Sequence, residues 1–107
     1  MKTRDIKTID VITKTWFDKV NGNTYFAQHI TINSGKRNAI ILLNNFQYGY
    51  SSFDYFAKKF VSEKLNLKSD LADSYDLCSS RGKIKFNNII IRNCKKRELL
   101  NIQNIEL

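Results

Sequence analysis

Residues 53–65 read Phe53-Asp54-Tyr55-Phe56-Ala57-Lys58-Lys59-Phe60-Val61-Ser62-Glu63-Lys64-Leu65, and they divide the chain into a helix and what it must pack on. Phe53, Phe56, Ala57, Phe60, Val61 and Leu65 fall at i, i+3, i+4, i+7, i+8 and i+12, which puts them on one face of an α-helix. Lys58, Lys59 and Lys64 lie off that face. Ser51 or Ser52 is the expected N-cap, because a hydroxyl there can accept from a free N–H of the first turn. A helix with one apolar face needs a partner surface. The spacing therefore predicts Phe56 and Phe60 buried against a sheet.

The sheet is expected upstream. Residues 6–17 are rich in β-branched and aromatic types and read as a strand. Asn21-Gly22 signals a type I′ hairpin turn, whose central residues both need positive φ. Residues 24–32 return, Asn33-Ser34-Gly35-Lys36 turn again, and 37–43 form a third strand. Residues 44–52, with Phe46, Tyr48, Gly49 and Tyr50, read as a loop. Downstream, Ser69-Asp70 opens a short second helix through Leu77, with Leu71, Ala72 and Tyr75 inward, and 79–82 is loop. Residues 83–93 read as a strand centred on Ile89-Ile90-Ile91, with a bulge or tight turn at Asn87-Asn88. In the last ten residues Leu99, Leu100, Ile102 and Ile105 fit neither period, leaving a strand and a short helix both open. The expected fold is α+β, a single domain over residues 1–107. It comprises a three-stranded antiparallel meander, a packed amphipathic helix and one or two further C-terminal strands.

Composition supports a folded domain: 42% of residues are apolar and 12% aromatic, enough to bury a core. Eighteen Lys and Arg against ten Asp and Glu give a net charge of +8. Such an excess favours a polyanionic partner. No apolar segment follows the basic start, and no run of eighteen apolar residues occurs. The expectation is a cytoplasmic protein of a bacterial host cell, without a membrane partner and with Cys78 and Cys94 as reduced thiols. Ile, Lys and Asn supply 38 of the 107 residues and Pro none, the mark of an AT-rich genome.

Motifs for covalent chemistry are missing. One His and two distant Cys do not make a zinc site, so no metal or cofactor is expected. His29 reads as a structural or surface histidine. Cys78 with His29 lacks any supporting motif for nucleophilic catalysis. Asp10 and Asp18 sit apart from the acidic stretch Asp70, Asp73 and Asp76, which reads as a cap and a solvated face. No nucleotide-binding glycine loop is present. The chain reads as a binding protein rather than an enzyme.

The informative feature is the tract 81–97. Arg81, Lys83, Lys85, Arg92, Lys95, Lys96 and Arg97 are seven cations with no acid among them. A strand would put Lys83 and Lys85 on one face and Ile84 and Phe86 on the other. Lys95-Lys96-Arg97 would extend the patch at the strand end, suited to tracking phosphates. The alternative use of such lysines is protection of an edge strand. Tyr48 and Tyr50 are candidates to stack on unpaired bases.

The stretch Trp16-Phe17-Asp18-Lys19-Val20-Asn21-Gly22-Asn23-Thr24-Tyr25, followed by Phe46-Gln47-Tyr48-Gly49-Tyr50, resembles small phage and prophage proteins of AT-rich bacteria. That group includes anti-CRISPR inhibitors. The resemblance implies an accessory protein that binds nucleic acid, RNA foremost, or a CRISPR effector nucleoprotein, by contact and without catalysis. Two other readings stay open: a DNA-binding module of three strands and a helix, and a small ribonuclease.

Overall fold

The computed structural model describes residues 1–73 and 76–104. Among these residues five strands form one mixed sheet: β1 (Thr8–Asp18), β2 (Asn23–Ile32), β3 (Ile40–Tyr48), β4 (Cys78–Ser79) and β5 (Ile84–Ile91). The order across the sheet is β3-β2-β1-β5-β4. The first three strands are the expected antiparallel meander. β5 lies parallel to β1 with Thr8 opposite Lys85 and Lys14 opposite Ile91, so β1 is central rather than terminal. Helix α1 (Phe53–Lys64) follows β3, and α2 (Lys96–Leu100) follows β5.

Alternation in the strands makes two cores. On one face Ile9, Val11, Ile30, Ile32, Ile84 and Phe86 meet Ala57 and Val61 of α1. On the other, Leu99 and Ile102 cover Ala27 and Cys94, with Trp16, Tyr25 and Phe46 at the margin. Helix α2 is too short to persist alone; this second, smaller core holds it.

A row of polar side chains crosses the first core. The Gln28 amide, fully buried, donates to the Thr13 hydroxyl (3.2 Å) and the Phe53 carbonyl (2.9 Å) and accepts from Asn44 (2.9 Å). Thr13 donates to Asn88 Oδ1 (2.8 Å), and Asn88 Nδ2 donates to Asp54 (2.7 Å). The row ties all four long strands to the first turn of α1. Its members are mutually satisfied, as buried polar groups must be.

Several local expectations change. The first hairpin is closed by residues 19–22, not by a two-residue turn; Gly22 has φ +71°, and its N–H donates to the Asp18 carbonyl. Residues 44–48 are not loop: β3 continues to Tyr48, past a register shift between Phe26 and Gln28, because buried Asn44 pairs with Gln28. Ser52 precedes α1 with φ +61°, and its hydroxyl makes no capping bond. Phe60 is half-buried but Phe56 is 36% exposed, since the stripe centres on Phe53, Ala57 and Val61. Of the second helix the described residues form a 3₁₀ turn, Leu71–Asp73, opened by Asp70 accepting from the Ala72 N–H. The expected inward position of Tyr75 and the reading of Ile105 lie outside the described residues. Asn87 and Asn88 are regular members of β5, paired with Asp10 and Val11.

Residues 79–82, expected as loop, begin inside β4. That strand runs parallel to the start of β5 after a very short connection, with the Ile84 N–H donating to the Leu77 carbonyl at 2.8 Å. Gly82 permits this turn: a Cβ there would sit 2.6 Å from the Leu77 oxygen.

Candidate nucleic-acid interface

The hairpin register places Trp16 of β1 opposite Tyr25 of β2, and Tyr25 opposite Tyr48 of β3. All three stand on the sheet face away from α1. The Trp16 and Tyr25 rings stack at 5.7 Å, Tyr25 and Phe46 at 5.0 Å, and Tyr48 meets Tyr25 edge-on at 5.7 Å. Trp16, Tyr25 and Phe46 are half-buried, whereas Tyr48 is 64% exposed at the rim.

Cations surround these rings. Lys96 Nζ lies 5.7 Å from the centre of the Trp16 ring. Lys19 and Lys95 line a cleft of about 430 Å³ with Trp16, Phe17, Asn93 and Cys94. Arg97 lines a neighbouring 570 Å³ depression with Lys14 and Glu98. Two acids at this end are spoken for. Glu98 accepts from the Lys95 N–H at 2.6 Å and faces Lys14 at 3.6 Å. Its carboxyl is thereby held below the ordinary range. Asp18 accepts from the Asn21 side chain, which lowers its pKa as well. Among the described residues Lys95, Lys96 and Arg97 make no salt bridge.

The basic tract is divided by the strand that runs through it. Lys83 and Lys85 are exposed and Ile84 and Phe86 buried, as the alternation predicts. Arg92 lies seven positions beyond Lys85 along nearly extended chain, about 23 Å away. Arg81, Lys83 and Lys85 therefore belong to the opposite end of the sheet, where the Lys85 N–H bonds the Lys7 carbonyl. Asn33 joins that end to the β2–β3 turn through the Lys7 N–H, bringing in Lys36 and Arg37. Arg92 turns toward α1, 5.9 Å from the Phe53 ring. Tyr50 is 72% exposed in the connection after β3.

Sequence reasoning missed Trp16, Tyr25, Lys14 and Lys19 as members of the aromatic end. The signal that finds them is register: once β1 and β2 pair around residues 19–22, Trp16 and Tyr25 must be neighbours. His29 lies on the same open face in the row Ile12–His29–Leu43, where burial lowers its pKa. Cys78 is in the opposite core, so the two do not meet. Both thiols are buried, and burial pushes Cys78 up to about 11. Among the described residues no three His, Cys, Asp or Glu converge as metal ligands, and no helix is long and apolar enough to cross a membrane.

The chain matches no protein-family profile, no curated protein sequence and no solved structure.

Proposed function

We propose that the protein binds single-stranded nucleic acid, RNA foremost, or a nucleoprotein presenting it, through the Trp16–Tyr25–Tyr48 surface and Lys95–Lys96–Arg97, in a bacterial cytoplasm and without catalysis. The observation that carries this reading is the coincidence of an aromatic row spanning three strands with Lys95, Lys96 and Arg97, which make no salt bridge among the described residues. Bases have π-faces that stack on such rings whatever their identity, while the lysines meet the phosphates. The resemblance to phage proteins makes a CRISPR RNA-guided nuclease the first nucleoprotein to test, with inhibition arising from occupancy of its RNA or channel.

Trp16 is the single tryptophan and sits in the row, so its fluorescence reports occupancy directly. Titration with a single-stranded RNA, a duplex DNA and an assembled RNA-guided nuclease complex should quench Trp16 with the RNA or the complex, and less with the duplex. Unchanged Trp16 emission with all three would remove the proposal. Preferential duplex binding would favour the sheet-in-groove DNA module, against which α2 lying across β1, β2 and β3 already argues. RNA turnover abolished by His29→Ala would favour the ribonuclease.

A further inference from the structure

A second surface lies along β5, away from the aromatic row. Among the described residues β4 covers β5 only at Ile84 and Lys85, and no strand lies on the outer side of β5 beyond them. The Lys85 N–H points to β1 and the Ile84 N–H to the β4 side. Alternation then sends the N–H and C=O of Phe86, Asn88 and Ile90 outward; the Phe86 N–H meets the Ser79 carbonyl, as the parallel Ser79–Lys85 pairing requires, and Asn88 and Ile90 lie beyond β4. Among the described residues no strand pairs with Asn88 or Ile90 on that side. Native edges are usually blunted by charge, proline, a bulge or a covering segment. Phe86-Asn87-Asn88-Ile89-Ile90-Ile91 has no charge or proline, pairs with β1 in unbroken register, and past Lys85 has no strand beyond it among the described residues. Ile89 is 53% exposed on one face and Ile90 40% exposed on the other, so an added strand would meet apolar surface on both.

The ends of this edge are charged: exposed Lys83 and Lys85 precede it and exposed Arg92 follows it. Asp54 lies beside its centre, held by Asn88, and not at its ends. We propose that the β5 edge accepts an extended strand of a partner protein, apolar at its centre and acidic at both ends, as a sixth strand of the sheet. Charge selects this occupant over a second copy. Two β5 edges paired antiparallel about Asn88 would bring the Lys85 end of each against the Arg92 end of the other, and like charges opposed across a ladder are unfavourable. Acidic flanks turn the same cations into steering and register groups. The other open edge, β3, has Lys36 and Arg37 before it but Tyr48-Gly49-Tyr50 at its end, and lacks the bracket.

The test uses the full chain and no nucleic acid, so its result is independent of the Trp16 titration. Residue-resolved amide exchange is followed with a short synthetic peptide of alternating Val and Thr carrying paired Asp at each end, and with the same peptide carrying paired Lys. The acidic peptide should slow exchange at Asn88 and Ile90, while Asn87, Ile89 and Ile91 are already protected by β1 and Phe86 by Ser79. It should bind about tenfold tighter than the Lys peptide at low salt, with the gap closing at high salt. Charge reversal at Lys83, Lys85 and Arg92 to Glu should invert the preference. Absence of protection with either peptide overturns the proposal, as does equal protection by both at every salt concentration. Protection that appears in the protein alone as its concentration rises would assign the edge to a second copy instead.

Discussion

Phe26 and Phe56 touch ring to ring at 5.3 Å, yet they are unequal contributors. Phe26 is wholly buried between the sheet and α1, so Phe26→Ala should destabilise by about 3–5 kcal/mol through lost transfer energy and a cavity. Phe56 keeps over a third of its surface in water, and Phe56→Ala should cost only about 1–2 kcal/mol. Urea unfolding of the two variants checks this; equal losses would contradict the rotated stripe. Helical spacing in the sequence identifies the stripe but not its centre, because which flank is covered depends on where Phe26 stands across the interface. The period-two split of Lys83 and Lys85 from Ile84 and Phe86 was legible, since burial of one sheet face is all it needs. At Cys78, burial raises the pKa to about 11. Iodoacetamide should therefore leave both thiols unmodified in the native protein at mildly alkaline pH and label them only on unfolding, as mass spectrometry would read.

Among the elements, α2 depends most on its surroundings. Its Leu99 is fully buried, and Leu99→Ala should cost about 2–5 kcal/mol. It should also weaken RNA binding under the proposed function, because Lys96 and Arg97 ride on the same turn. Melting and Trp16 quenching on one variant check both. The capping contact of α2 is pH-sensitive. Glu98 is held below its ordinary 4.5 by the Lys95 N–H and then by the Lys14 charge, so it is a stronger acid folded than unfolded. Its contribution is complete above pH 4.5 and is lost as pH falls through the lower folded value. Acid titration of stability should show this decline, and Glu98→Gln should make it shallower. The second half of β3 was not legible in the sequence, and at the C-terminal end a strand and a short helix both stayed open. Five helical residues are too few for a period to emerge. The aromatic and glycine content of 46–50 imitates a loop, whereas the bond between Asn44 and Gln28, sixteen residues apart, is what extends the strand.

For the molecule as a whole, charge is placed at two ends rather than in one patch. Changing Lys95, Lys96 and Arg97 to Gln should flatten the dependence of log K on log salt by about 2 for a single-stranded RNA, at about 0.7 per phosphate contact, without unfolding the chain. The same change at Arg81, Lys83 and Lys85 should leave that slope nearly intact if the aromatic end is the contact. Binding isotherms at several salt concentrations separate the two. The tract was plain in the sequence as a run of cations; its division was not, because it follows from the length of β5.

The parallel pairing of β1 with β5 also orders events in time. β1, β2 and β3 close through neighbouring chain, but Thr8 meets Lys85 only after a loop of more than seventy residues is drawn in. Closing so long a loop is the entropically slow step. Before β5 docks, the outer edge of β1 would present unpaired N–H and C=O groups. β5 thus acts as the stopper for the edge of β1 that the meander leaves free.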